Sequence, residues 1–219
     1  CLGCAVPQEH HRAKGGLTAL ALWALGPGVR IRDEVERAAG LAPVGEDAVR
    51  AGDVAQAQNL IEAGTDLNAI GEDGETPLTS AVLGGHEALA VLLIDRGADI
   101  RARNSGGFTP LHAAAYSNAV SLAERLIDLG IDVTDRNNKA GVPPLHVAAE
   151  EGHAEAAKLL IDRGADVEAH EANGYTALTR AIWRGHTDVI TVLQAAGAKC
   201  QPVGIVDEPT YAQCMEGQR

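Results

Sequence analysis

A five-residue phrase that begins with Gly and ends with Leu recurs four times in this chain. Its copies begin at Gly74, Gly107, Gly141 and Gly174, at intervals of 33, 34 and 33 residues. A second phrase, typified by Gly-Ala-Asp at Gly97, keeps the same register between these copies. Self-similarity at such a period is the signature of a repeat architecture, in which each unit buries its apolar face against its neighbours. The chain is therefore predicted to be a solenoid rather than a single globular core.

Each unit of the repeat predicts two short helices and a turn. Pro77 follows Thr76, and Pro is favoured at the first helical position because the N–H that it lacks would have no partner there. A second helix is expected from Glu87 to Asp95, and Gly97 is expected to end it. The apolar residues expected to face inward are Leu78, Ala81, Val82, Leu89, Leu92 and Leu93 and, in the next unit, Leu111, Ala114 and Ala115.

The Thr-Pro-Leu-His and Gly-Ala-Asp phrases resemble the ankyrin repeat, and the resemblance covers about Ala42 to Gln201. It implies an all-α ankyrin-repeat solenoid, with helix-turn-helix units, β-hairpin loops, one capping repeat and four recognisable repeats. The predicted organisation is an N-terminal extension with capping helices over residues 1–40, an ankyrin repeat domain over 41–206 and a C-terminal tail over 207–219.

Two units depart from the pattern. The first ends at Gly64, has its second helix in Val54 to Glu62 and lacks the Thr-Pro start, so we interpret it as the capping repeat. In a central unit, Asn118 and Ala119 replace the Gly-His pair of the other units. The turn that follows carries one extra residue within Asn137 to Gly141, and this unit is expected to differ most in geometry.

The charge of the chain limits its partners. Lys and Arg number 18 against 30 for Asp and Glu, which gives a formal net charge of −12. Such a surface repels nucleic acid phosphates and anionic lipid headgroups. A basic or mixed protein surface is the expected partner.

Five of the eight histidines have an architectural interpretation rather than a catalytic one. His112 and His146 close the Thr-Pro-Leu-His phrase, and His86, His153 and His186 follow the Gly between helices. In ankyrin proteins these positions form hydrogen bonds to loops and neighbouring repeats. The sequence also lacks metal-ligand spacing, a nucleophile elbow and a phosphate loop. We therefore predict no cofactor, no metal and no enzymatic activity.

The four cysteines lie near the ends of the chain. A disulfide between Cys200 and Cys214 is predicted if the compartment is oxidising, and the alternative is reduced thiols. The start at Cys1 resembles the lipid-bearing first residue of a bacterial lipoprotein. The alternative is that Cys1 is only the point at which a longer chain was cut. The apolar run Leu17 to Leu25 is interpreted as a capping helix, with a residual signal segment as the alternative.

Four of the six aromatic residues fall at two positions of the repeat. In ankyrin proteins these positions vary freely and face the concave groove. Phe108 and Tyr175 follow the hairpin Gly, and Tyr116 and Trp183 follow the first helix. Aromatic residues are enriched at binding hot spots, so we expect these four to anchor a partner. The alternative is that they pack on neighbouring repeats.

The resemblance implies recognition of another protein through the concave groove and hairpin tips. One expected setting is the bacterial periplasm, with the chain lipid-anchored at Cys1 and acting as an immunity protein that inhibits a secreted toxin or effector enzyme. The other is a structural adaptor or assembly chaperone in the cytoplasm, with reduced cysteines. The polar residues expected to orient the partner are Glu75, Arg103, Arg136, Glu150, Glu151 and Arg184.

Overall fold

The computed structural model of the chain describes residues 45–216, which contain eleven helices. Five helix pairs, here called units 1 to 5, are followed by a single C-terminal helix. The predicted N-terminal extension, with Cys1 and Leu17 to Leu25, lies outside the described residues. The helices are α1 (Glu46–Ala51), α2 (Val54–Glu62), α3 (Pro77–Leu83), α4 (Glu87–Asp95), α5 (Pro110–Tyr116), α6 (Val120–Asp128), α7 (Pro144–Glu151), α8 (Ala154–Asp162), α9 (Ala177–Arg184), α10 (Thr187–Ala195) and α11 (Glu208–Glu216).

In units 2, 3 and 5 the first helix begins at a Thr cap. The side-chain oxygens of Thr76 and Thr176 accept hydrogen bonds from the backbone N–H groups of Thr79 and Thr179, and so satisfy donors that have no partner in the helix. Pro77 occupies the first helical position, which confirms the prediction. The predicted bounds of α2 and α4 are also those of the structure.

The units stack through their helices. Each first helix packs against the first helix of the next unit and against its own second helix. Every residue predicted to face inward is buried except Leu92, which is half-buried. The core consists mainly of Leu and Ala: the Leu side chains fill it, and the small Ala side chains let short helices approach closely. The all-α solenoid predicted from the repeat is confirmed.

Histidines that follow the turn between paired helices link successive units. In each case Nε2 donates to a carbonyl oxygen at the end of the preceding unit's first helix, and since a carbonyl can only accept, Nε2 carries the proton. The pairs are His86 to Arg50 (3.0 Å), His153 to Tyr116 (2.8 Å) and His186 to Glu150 (3.0 Å). The predicted architectural role of these histidines is confirmed.

The junction between units 2 and 3 is built differently, because Ala119 stands where units 2, 4 and 5 have His. Ser117 donates its hydroxyl to the carbonyl oxygen of Val82 at 3.1 Å and so links the two units instead. Asn118 adopts the left-handed conformation, with φ of 52°, at the position of Gly152 and its equivalents. Asn tolerates this conformation better than other residues with a Cβ.

The loops between units form a row of turns. Three of them are closed by a backbone hydrogen bond of the kind that joins the Asn104 N–H to the Phe108 carbonyl at 2.9 Å, and in the turn between units 3 and 4 the side-chain amide of Asn138 donates to the Val142 carbonyl instead, at 2.7 Å. Neighbouring turns are also bonded to each other, as from Ser105 to Gly74 at 2.8 Å. The described residues contain no strand, and an isolated bridge joins Val203 and Val206.

The C-terminal end is closed by α11, which packs against α9. A disulfide joins Cys200 and Cys214, so the helix is covalently attached to the end of unit 5. Thr210 and Cys214 of α11 are buried, and Gln194 donates its side-chain amide to the Cys214 carbonyl at 3.2 Å. The segment predicted as a tail therefore contains a helix that caps the stack.

Candidate protein-binding groove

The first helices of units 2 to 5 and the adjacent turns line a concave groove of about 520 Å³. Its apolar lining comes mainly from units 3 and 4, with a contribution from unit 2. A groove of this volume is within the range of about 300–1,000 Å³ that is usual for ligand sites. The apolar and aromatic lining residues are Leu83, Phe108, Ala113, Tyr116, Val142 and Val147.

Two of the four predicted aromatic anchors lie in this groove. Phe108 is half-buried, and its ring meets the His112 ring edge to face, with centroids 5.4 Å apart. Tyr116 is 52% exposed, although it lines an apolar groove. A large ring left in contact with water beside other apolar groups marks a surface that another molecule can cover.

The other two predicted anchors form a separate pair. The rings of Tyr175 and Trp183 meet edge to face, with centroids 4.6 Å apart, and neither residue lines the groove. Trp183 donates its indole N–H to the hydroxyl of Thr210 on α11 at 3.0 Å, and it remains 44% exposed. The four aromatics thus fall into two groups with different surroundings.

Two buried histidines form the floor of the groove. The Nε2 atoms of His112 and His146 donate to the carbonyl oxygens of Val142 (2.9 Å) and Tyr175 (3.0 Å) in the next unit. Burial lowers the pKa of both imidazoles below the ordinary value of 6.5, because desolvation disfavours the charged form. Both rings are therefore neutral at pH 7 and act as architectural donors.

The two histidines differ at their second nitrogen. Nδ1 of His112 lies 2.8 Å from the Thr109 hydroxyl and accepts the Thr109 backbone N–H at 3.2 Å. Nδ1 of His146 is buried without a hydrogen-bond partner among the described residues. The cause is local, since Pro143 occupies the cap position and has neither a hydroxyl nor an N–H.

A chain of alternating charges runs along the C-terminal side of the groove. Arg180 contacts the buried carboxylate of Glu171 at 2.5 Å and that of Glu150 at 3.2 Å. Arg184 donates through Nε to Glu150 at 2.7 Å, and this hydrogen bond raises the pKa of the Arg184 guanidinium. Two cations and two anions compensate one another in this chain. Glu150 and Arg184 both belong to the six polar residues predicted to orient a partner, here called the rim residues.

Glu75 and Glu151 also line the groove and lie outside this charge chain. Glu75 is half-buried, and its carboxylate accepts hydrogen bonds from the Asn104 amide at 3.0 and 3.1 Å. Glu151 is exposed and acts on Arg184 only through space. Within residues 45–216 neither carboxylate has a basic side chain within salt-bridge distance.

The two remaining predicted rim residues form bonds within the fold. Arg103 pairs with the buried carboxylate of Asp135 at 2.7 Å and donates to the Gly107 carbonyl at 2.9 Å. Arg136 donates to the carbonyl oxygen of His170 at 3.1 Å. Neither lines the groove, and both connect neighbouring turns.

Several groove residues were missed by the sequence reasoning, which looked mainly for aromatics. Leu83 occupies the same position of its unit as Tyr116, and Val142 occupies that of Phe108. The repeat interval was thus a sufficient signal for these residues. Asn104, Glu171 and Arg180 give no such signal, because their roles depend on contacts between units.

Paired helices stacked in one direction, with turns in a row and one concave face, define a helical-repeat solenoid. A family model described as ankyrin repeats (3 copies) matches residues 46–137 and 134–202, more than two thirds of the chain. The chain belongs to the ankyrin repeat family. Its repeats make it a protein–protein interaction module, and members of this family are generally binding modules rather than enzymes. A search of curated proteins found no match.

Two further findings concern the described part of the chain. Residues 45–216 contain no group of three or more His, Cys, Asp or Glu side chains arranged to hold a metal ion. None of the helices described above has the length and apolar character needed to cross a bilayer.

Proposed function

We propose that this chain binds its partner protein in the concave groove, with Phe108 and Tyr116 as the main anchors. The observation that supports this most strongly is the exposure of Tyr116, 52%, at the edge of an apolar groove. Covering such a ring contributes binding free energy through both its area and its geometry. The groove is already formed, so this chain would lose little conformational entropy when a partner binds.

The polar residues around the groove would orient the partner. Glu75, Glu150 and Glu151 line it, and Arg184 is held next to Glu150. Arg103 and Arg136 would contribute indirectly, because they fix the turns whose tips would form the outer edge of the same surface.

The test uses the partner that co-purifies with the tagged chain from its source. Tyr116→Ala and Phe108→Ala should each weaken binding by about 2 kcal/mol in isothermal titration calorimetry, with an unchanged circular dichroism spectrum. Leu129→Ala is the matched control, because Leu129 is 48% exposed and does not line the groove. Unchanged affinity in both groove variants would refute the proposal.

We also propose that the chain works in an oxidising compartment such as the bacterial periplasm or its membrane surface. The Cys200–Cys214 disulfide supports this, because such bonds persist mainly in oxidising surroundings. A cytoplasmic adaptor or assembly chaperone would carry reduced thiols instead. Peptide mapping of the native protein, with and without reductant, distinguishes the two, and unlinked peptides before reduction would favour the cytoplasmic alternative.

Within that compartment we propose inhibition of a secreted toxin or effector as the narrower role. A rigid, preformed surface suits an inhibitor that must cover an active site. The partner's activity, measured as the chain is added, separates this role from that of an adaptor. An inhibitor abolishes the activity at a stoichiometric ratio, whereas an adaptor leaves it unchanged.

A further inference from the structure

We propose that the groove recognises a basic segment of its partner, in which two Lys or Arg residues flank an apolar side chain. This inference rests on the proposed function, since it specifies what the groove binds. It follows from the difference between the charged groove residues that form ion pairs with one another and those that do not.

Most of the charge in the groove is already compensated. Arg180 and Arg184 are both engaged by Glu150, and Arg180 also holds Glu171. This network offers a partner no net charge. The two carboxylates outside it, Glu75 and Glu151, therefore determine the sign of the charge that a partner should carry.

A nearby cation would stabilise the carboxylate of Glu75 more than that of Glu151. Its carboxylate is half-buried beside Phe108 and receives only the hydrogen bonds of the neutral Asn104 amide. A carboxylate partly removed from water is stabilised most by a charged donor. The Asn104 amide itself is fixed, because its oxygen accepts the backbone N–H groups of Gly106 and Phe108.

The space between the two carboxylates is apolar. Phe108, Tyr116, Val142 and Val147 line it. An apolar side chain would bury its surface here. The aliphatic stems of neighbouring Lys or Arg residues would lie along the same groups, and their charged ends would be free to reach the carboxylates. The exposed Tyr116 ring also offers a face for a cation.

The positions of the carboxylates set the spacing of the basic residues. Glu75 precedes α3 in unit 2, and Glu151 ends α7 in unit 4. Packed helices are about 8–10 Å apart, so two steps along the stack place the carboxylates on the order of 20 Å apart. An extended chain covers this distance in about six residues. The segment should therefore carry its basic residues about six positions apart.

The experiment is selection of a random 12-residue phage-displayed peptide library on the immobilised full chain. Enriched peptides should contain two basic residues about six apart, with an apolar residue between them. The best peptide should bind roughly tenfold more weakly to Glu75→Gln and about threefold more weakly to Glu151→Gln, whose carboxylate is exposed. Glu87→Gln, on an outer helix, is the matched control and should bind normally.

The selected peptides distinguish a failure of the basic-segment inference from a failure of the proposed function. Peptides that lose binding to Phe108→Ala but are neutral or acidic would overturn the basic-segment inference and leave the groove as the binding site. Basic peptides that bind Glu75→Gln and Glu151→Gln normally would also overturn it. Peptides whose affinity is unchanged in Phe108→Ala and Tyr116→Ala would overturn the proposed function itself.

Discussion

The middle of the solenoid and its C-terminal end use aromatic residues at the same repeat positions for different purposes. Phe108 and Tyr116 in unit 3 correspond by register to Tyr175 and Trp183 in unit 5. In the middle, Tyr116 borders an open groove, whereas at the end Trp183 is bonded to α11. Repeat register alone therefore does not define a binding residue. The surroundings of the ring determine whether it is available to a partner. In an end unit the ring can instead cover the face that has no neighbouring repeat.

The C-terminal end is held by a connected set of bonds. The Trp183 indole donates to the Thr210 hydroxyl, and hydrogen bonds from Thr210 to the Asp207 carboxylate lower the pKa of that group. The disulfide attaches the other end of α11 to unit 5. The middle of the groove has no corresponding cover within the described residues. This contrast leads to four predictions.

The largest effect is expected from the disulfide. Replacing both Cys200 and Cys214 with Ser should lower the free energy of unfolding by about 3 kcal/mol, because the bond closes a loop and so restricts the conformations of the unfolded chain. Urea denaturation measures the loss, and hydrogen exchange should place it in α11 and unit 5. Faster exchange in unit 3 of the same variant would show that the two regions are not independent.

The second prediction compares the two exposed aromatics directly. Trp183→Ala should lower the free energy of unfolding by about 1–2 kcal/mol, because it removes a ring contact and the hydrogen bond to Thr210. Tyr116→Ala should change it by less than about 0.5 kcal/mol, since the residue is 52% exposed. Thermal unfolding of both variants checks this, and equal losses would contradict the contrast.

A smaller gain is expected in the groove floor. Pro143→Thr supplies His146 Nδ1 with the hydroxyl that Thr109 gives to His112, and should raise the free energy of unfolding by about 0.5–1 kcal/mol. Thr109→Val is the reciprocal control and should lower it by a similar amount. A loss of stability in Pro143→Thr would mean that the rigidity of Pro outweighs the new bond.

The smallest effect is a difference in pH dependence. The pKa values of His112 and His146 lie below 6.5, so the unfolded chain binds more protons and stability falls as pH decreases from about 7 towards 5. The pKa of Asp207 is lowered from 3.8, so its contribution is present above that pH and is lost only in stronger acid. Hydrogen exchange at pH 7 and 5 should therefore show the groove floor loosening before α11.

The fold could be predicted closely because its determinants are local and repeated. The bounds of α2 and α4 followed from the positions of the flanking Gly residues, and the buried Leu and Ala residues followed from the helical period. The links made by His86, His153 and His186 followed from the register of the repeat.

The details of the site were less accessible, because they depend on which residues of different units meet. The pairing of Arg103 with Asp135, which holds this predicted rim residue within the fold, involves a turn with an extra residue. The bond from Trp183 to Thr210 requires the position of α11, and the tail sequence carries no repeat signal. Both contacts join segments that are far apart in sequence.

The most direct test of the contrast is isothermal titration of one groove-selected peptide into Tyr116→Ala and Trp183→Ala. We predict that Tyr116→Ala weakens binding roughly thirtyfold, the equivalent of about 2 kcal/mol, while Trp183→Ala binds within about twofold of the unaltered chain. Equal losses in the two variants, or a larger loss in Trp183→Ala, would contradict the assignment of the open groove to binding and of the C-terminal aromatic pair to capping.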